Sequence, residues 1–401
     1  MANTSLLNSE YEFKMKSNPP MIDFNDTPLR NFEKVSLSSS MDTFYSYAEI
    51  NFKDEMGIII DKAFFTEGLE FYIKYGNEDY GFLENTFCWS ENQVLNAEIS
   101  GRLSGTNVFI MLDNAYIKDL PRSKSYTNSI SGIVREVALT ELGISSDKIF
   151  ISETDDSDTW YRYNEDAKSF IKRLSDIAYS KNSNKSPFVT FINKNGEFYF
   201  MAISELFSSQ QPVETYIFSI EENAVMSKDV ITDFNIMMGG LPINYDDYKK
   251  KVFSMGADAS ISNEIFDIKD HFYKEAKEKI LVRKDYQDIT DYIYLGLAES
   301  ANDKKLVKGQ VNSLYRDSAL SYRMEIVIHF NPKCVTGKLI NIKVDSAFED
   351  KQIAGEYSGK WVIIEDDFLV DEEEHPYQRL MLSKSAIKID TDHPFNKDFI
   401  S

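Results

Sequence analysis

Phe188-Val189-Thr190-Phe191-Ile192, then Asn193-Lys194-Asn195-Gly196, then Phe198-Tyr199-Phe200-Met201 is the stretch on which the fold turns. Two runs of alternating aromatic and β-branched residues predict strands. An Asn-Gly step between such runs predicts a hairpin, because its tight turn needs residues that tolerate positive φ. Upstream the period changes from two to three-and-four. Ile130, Ile133, Val134, Val137 and Ala138 predict an amphipathic helix, with Gly143 placed after Leu142 as its C-terminal cap. Phe170, Ile171, Leu174, Ile177 and Ala178 predict a second helix from about Asn164. Asn164 or a neighbour serves as its N-cap, and Glu165 and Asp166 suit the positive end of its dipole. Residues 121–210 therefore read as an α+β middle domain.

On both sides of this domain the pattern is β. Phe44, Tyr45, Tyr47, Ile50 and Phe52, then Ile58 to Ile60, Leu69 to Tyr75, Val94 to Ile99 and Val108 to Leu112 alternate or run apolar between Gly, Asn and Asp breaks. Short strands at that spacing predict a β-barrel or sandwich over residues 36–120. Residues 211–240 and 320–390 also read as β, with strands at Tyr322 to Ile328, Leu339 to Val344, Trp361 to Ile364 and Arg379 to Lys384. Residues 241–319 interrupt this block as a Tyr- and Lys-rich insertion with a helical stretch near Ile268 to Leu281. Residues 1–35, with Pro19-Pro20 and Pro28, read as an extended arm that orders against a partner, and 391–401 as a C-terminal tail. The expected class is mainly β with α+β insertions, two β units flanking a helix-containing middle.

Composition narrows the function. Across 401 residues, 44 Lys and Arg stand against 65 Asp and Glu, a net charge of −21. That argues against general nucleic-acid binding, which draws its affinity from cationic patches. Cys88 and Cys334 are too few for a disulfide framework and read as buried thiols. No apolar run reaches the roughly 20 residues of a spanning helix, and the N-terminus lacks the pattern of a signal peptide, so synthesis in the cytoplasm and no membrane anchor are expected. His271, His329, His375 and His393 are scattered without metal-ligand spacing, so no metal site is expected. Neither a phosphate loop nor a nucleophile elbow occurs, and Gly101 and Gly105 read as turns. Glu153-Thr154-Asp155-Asp156-Ser157-Asp158 fails as a calcium loop, since Trp160 and Asp166 stand where glycine and glutamate are needed. Glu365, Asp366, Asp367 and Asp371 to Glu374 crowd seven acids into ten residues; the choices are a solvated hairpin tip, an acidic wall in an assembly, or a glycosidase carboxylate. No catalytic, cofactor-binding or metal residue is assigned, and on residues alone a structural or scaffold protein is the expectation.

The order of segments nevertheless resembles one family. Ser131-Gly132-Ile133-Val134-Arg135-Glu136-Val137-Ala138, an acidic loop to Trp160, Phe170-Ile171-Lys172-Arg173-Leu174 and the Phe188 to Met201 hairpin are similar in succession to the baseplate hub proteins of contractile phage tails, relatives of the hub part of type VI secretion spikes. Thr336-Gly337-Lys338-Leu339-Ile340-Asn341-Ile342, Gly359-Lys360-Trp361-Val362-Ile363-Ile364 and Tyr377 to Ile387 look like that family's closing strands. The resemblance covers roughly 36–240 and 320–390, and departs from the pattern in the arm, in 241–319 and in the acidity of the Glu372 to His375 loop.

The resemblance implies two tail-tube-like barrels per chain. A homotrimer would then adapt a six-fold tail tube protein to a three-fold central spike protein inside the virion baseplate, touching wedge or tape-measure proteins and letting DNA pass. It implies no enzymatic activity and no cofactor. An acidic channel wall would repel passing phosphate, giving the net charge a use. A hub or spike component of a bacterial contractile injection system is the alternative, and a carbohydrate-active enzyme a more distant one.

Overall fold

The computed structural model describes residues 12–18, 32–54, 69–77, 81–99, 103–154, 157–178, 180–182, 188–208, 210–218, 231, 233–238, 251–255, 261–267, 272–275, 292–294, 320, 322–344, 357–370 and 377–384. The first block is β1 (Glu12–Asn18), β2 (Phe32–Ser40), β3 (Tyr47–Asp54), β4 (Glu70–Asn77), β5 (Gly81–Ile99) and β6 (Leu103–Asp113). These run in the order β1-β4-β5-β6-β3-β2, every pair antiparallel. Their alternate residues make one core: Val35 and Leu37, Ala48 and Ile50, Phe71, Ile73 and Tyr75, Leu83 and Phe87, Phe109 and Met111. Glu12–Asn18 corrects one sequence reading. That part of the expected arm is a strand paired with β4 of its own chain.

After a short helix α1 (Ala115–Lys118) comes the middle domain: β7 (Arg122–Ser129), α2 (Ile130–Thr140), β8 (Ile149–Ile151), β9 (Ser157–Glu165), α3 (Ala167–Ile177), β10 (Phe188–Ile192), β11 (Phe198–Ala202) and α4 (Ile203–Ser208). Ser129 caps α2 through its hydroxyl and the Gly132 N–H, and the Ile144 N–H closes the far end on the Ala138 carbonyl around the left-handed Gly143. The cap of α3 is Asp166, which accepts from the Ser169 N–H, rather than Asn164. The predicted hairpin is β10–β11, joined in a three-stranded sheet by β8. Both of its faces are buried. Phe188, Ile192, Phe198 and Phe200 pack under α2 and α3 with Trp160, whereas Val189, Phe191, Tyr199 and Met201 turn the other way onto Leu339, Val362 and Ile364. That is why both strands read as near-continuous apolar runs.

The second block comprises β12 (Glu214–Phe218), β13 (Asp233–Met238), then, inside the expected insertion, β14 (Lys251–Met255), β15 (Ile261–Asp267), β16 (Phe272–Glu275) and β17 (Tyr292–Tyr294), and finally β18 (Tyr322–His329), β19 (Leu339–Val344), β20 (Gly359–Val370) and β21 (Tyr377–Lys384). β14 to β17 form a separate four-stranded sheet. Phe272–Glu275 is therefore a strand where the sequence suggested helix; the rest of 268–281, like Ile58 to Ile60 and Asp371 to His375, lies outside the described residues. The other six strands run β12-β19-β20-β21-β18-β13, with β12–β19 the parallel pair, and the Ile231 N–H donates to the Ile217 carbonyl to bring the ends together. They enclose Tyr216, Ile326, Ile328, Ile340, Ile342, Trp361, Ile363, Leu380 and Leu382. The chain is mainly β, with two barrel-like units and a helix-bearing middle.

β20 belongs to both units. Its first half pairs with β19, its second half with β2, and β21 runs along most of it. A bulge between Ile363 and Glu365 switches which parity faces inward: Trp361 and Ile363 line the second core, Asp366 and Phe368 the boundary and the first core. Phe368 meets Tyr75 at 4.3 Å and Phe330 at 4.7 Å between ring centroids, so it closes the first core from a strand of the second. Phe368→Ala is expected to cost about 3–5 kcal/mol, read as a lower urea midpoint at unchanged m-value, because the cavity opens where neither unit can collapse into it.

Candidate functional site

The tip of the β10–β11 hairpin is not a solvated turn. Asn193 accepts from the N–H groups of Asn195 and Glu197 and donates to the Thr336 carbonyl, with Gly196 supplying the positive φ that lets the chain return. This drives Lys194 inward. Its Nζ lies 2.5 Å from Asp366 Oδ1, and both side chains are completely buried. Asp366 Oδ2 accepts from the Thr336 N–H at 2.8 Å, while the Thr336 hydroxyl donates to the Ser39 carbonyl at 2.8 Å. One carboxylate thus joins the middle domain, β2, β20 and the loop before β19. Burial pushes the Asp366 carboxyl up, against the pull of the Lys194 ammonium and the Thr336 N–H. Gly337 in that loop is at φ +92°, and a Cβ there would stand 2.9 Å from Phe191.

Two further polar clusters brace the same region. In the second core, Gln378 donates to the Cys334 carbonyl and accepts from the Asn331 N–H, and Asn331 reaches the Tyr216 hydroxyl. Cys334 and Cys88 are buried and unbridged, and burial raises their thiols to about 12 and about 11. At the first unit's boundary, Asp119 accepts from the Tyr45 hydroxyl and from the first N–H groups of α3, fixing that helix to the barrel. Burial, then the bond to Asp119, raises the Tyr45 hydroxyl. Arg162, fully buried, is held by Glu141 at 2.6 Å and by the Leu120 carbonyl.

The acidic run is thereby divided. Glu365, Asp366 and Asp367 are not a solvated tip but part of β20, with Asp367 on Arg379 at 2.6 Å. Glu153 pairs with Arg135, and Trp160 is buried in the middle core. Among the described residues no group of three His, Cys, Asp or Glu is placed to hold a metal ion, and no helix is long and apolar enough to cross a membrane. The buried pairs Lys194–Asp366 and Arg162–Glu141 join separate elements of the fold. Sequence reasoning missed the Lys194–Asp366 pair because a lysine in an Asn-Lys-Asn-Gly turn has the signature of a solvent-facing residue.

Charge is spread unevenly along the chain. Residues 36–120 carry 5 Lys and Arg against 14 Asp and Glu, and 211–240 with 320–390 carry 10 against 18. Residues 121–210 carry 11 against 12. Most of the surplus therefore lies in the two barrel blocks, as −9 and −8. Of the eight large exposed apolar side chains among the described residues, Leu139, Tyr161 and Tyr163 belong to the middle domain, and Tyr47, Tyr72, Tyr116, Leu120 and Ile217 to the two acidic blocks.

The architecture has solved counterparts. A tail protein from Neisseria meningitidis MC58 superposes with a TM-score of 0.55 at 10% identity, covering 94% of this chain and 97% of the other. The 43 kDa tail protein of prophage MuSo2 from Shewanella oneidensis gives 0.56 at 9% identity, covering 94% and 99%. The chain has the fold of these tail proteins. Its sequence matches no protein-family model and no curated protein.

Asp366→Ala strands a buried ammonium and is expected to cost about 3–5 kcal/mol, whereas Lys194→Met combined with Asp366→Leu recovers most of that loss; chemical denaturation of the wild type and the two variants measures both. Half-buried His329 gives a pH prediction. Burial lowers its folded-state pKa, so the folded form binds the proton less well than the unfolded one. Stability is then present above the unfolded value of about 6.5 and lost as pH falls below it. His329→Gln should flatten that part of the stability–pH curve.

Proposed function

We propose that this chain is a structural virion protein, the central baseplate hub of a contractile phage tail. The observation that carries the reading is the pairing of two barrel-like units on one shared strand, β20, in a chain with the fold of two tail proteins. Two such units fixed side by side let three copies present six similar barrels. A homotrimer would then match a six-fold tail tube protein on one face and a three-fold central spike protein on the other, with wedge or tape-measure proteins around it.

The charge distribution supports the same reading. With −9 and −8 on the two barrel blocks, a ring built from them encloses a channel whose field repels phosphate, and DNA passes without being held. The middle domain, close to neutral, is suited to the outside of the ring. No chemistry is required of the chain, and its place is the tail baseplate after synthesis in the host cytoplasm.

Co-purification with the tube and spike proteins of the same phage, followed by mass measurement of the complex, tests this. Three copies per spike trimer and per tube ring are expected. A one-to-one stoichiometry with tube subunits, or no association with either, would remove the hub reading. Duplex DNA should show no retention by the ring even at low salt, where cationic contacts would be strongest.

A further inference from the structure

We propose that Lys194 and Asp366 condense into an intramolecular isopeptide bond, a covalent tie between the tip of the β10–β11 hairpin and β20. The inference stands apart from the hub reading. Lys194 Nζ and Asp366 Oδ1 are 2.5 Å apart, and both side chains are wholly enclosed by protein. Close as they are, the two atoms lack the angles of a hydrogen bond, and among the described residues neither has any other hydrogen-bond partner. An ammonium carries three N–H donors, and burying it with none of them satisfied is strongly disfavoured. A secondary amide between the same side chains carries no charge, so forming it removes both desolvated ions.

Both reacting groups are held from behind. Asn193, tied to the Asn195 and Glu197 N–H groups and to the Thr336 carbonyl, keeps Lys194 directed inward. On the other side, Asp366 Oδ2 accepts from the Thr336 N–H at 2.8 Å, and the Ser39 hydroxyl stands 3.4 Å from the same oxygen. These donors leave Oδ1 turned to the lysine and polarise the bond from Cγ to Oδ2. Burial pushes the Asp366 carboxyl up, which favours the acid over the carboxylate. Groups that the fold keeps in contact react without the entropy loss of an encounter.

The step balances without a co-reactant. One proton passes from Nζ to Oδ1, leaving a neutral amine beside a carboxylic acid. The nitrogen lone pair attacks Cγ, the C–N bond forms, and the negative charge gathering on Oδ2 meets the Thr336 N–H and the Ser39 hydroxyl. A second Nζ proton passes to Oδ1, the Cγ–Oδ1 bond breaks and one water departs. The product closes residues 194–366 into a covalent loop, which restricts the unfolded chain as a disulfide would, in a protein whose two cysteines are unbridged.

The intact mass of the full chain, measured after the folded protein is denatured, tests this together with peptide mapping. A mass one water below the value calculated from the sequence is expected, and digestion should yield a branched peptide joining the segments that hold Lys194 and Asp366. Lys194→Arg and Asp366→Ala should each restore the full calculated mass, and on a denaturing gel the wild-type chain should migrate ahead of both. A wild-type chain at its full calculated mass would overturn the bond. So would a water loss mapped to one unbranched peptide, as from a cyclised aspartate, or a deficit that persists in either variant. The wild-type mass decides the matter even where a variant folds poorly.

Discussion

A lysine and an aspartate, each without solvent contact and 172 residues apart in sequence, meet where three parts of this molecule converge. Two desolvated charges are costly apart and tolerable only together, so the pair fixes the hairpin tip against β20 far more strictly than apolar packing would. β20 then fixes everything else. Its bulge gives one strand two inward parities, so that Trp361 and Phe368 serve different cores, and neither core is complete without it. The middle domain is held on the same strand through Val362 and Ile364. Loss of Asp366 therefore reaches both barrels and the helical layer, although no one of those cores contains it.

The parts legible in the sequence are those governed by local periodicity. Ile130 to Ala138 and Phe170 to Ala178 announced amphipathic helices, the Asn-Gly step announced β10–β11, and Tyr322 to Ile328 announced a strand with one face in a core. What was not legible depends on tertiary pairing. Glu365 to Asp367 looked like solvated acid because nothing local reveals that Lys194 and Arg379 stand opposite. Glu12 to Asn18 looked like an arm because its apolar alternation is too short to register without β4 beside it. Phe272 to Glu275, set among lysines and glutamates at helical spacing, lies in a sheet in which β15 is its neighbour.

The same physics divides the surface. The two barrel blocks carry most of the negative surplus, whereas the middle domain is close to neutral and exposes Tyr161 and Tyr163. On the proposed hub reading, the acidic barrel blocks form the wall toward the channel and the near-neutral middle domain faces outward.

The most direct measurement is a cryo-electron microscopy map of the chain assembled with its tube protein. The account predicts a three-fold ring in which each copy places both barrels at one radius, six in all, with β20 between each pair and carboxylates facing the bore. A ring containing one barrel per chain, or a bore lined by Lys and Arg, would contradict it.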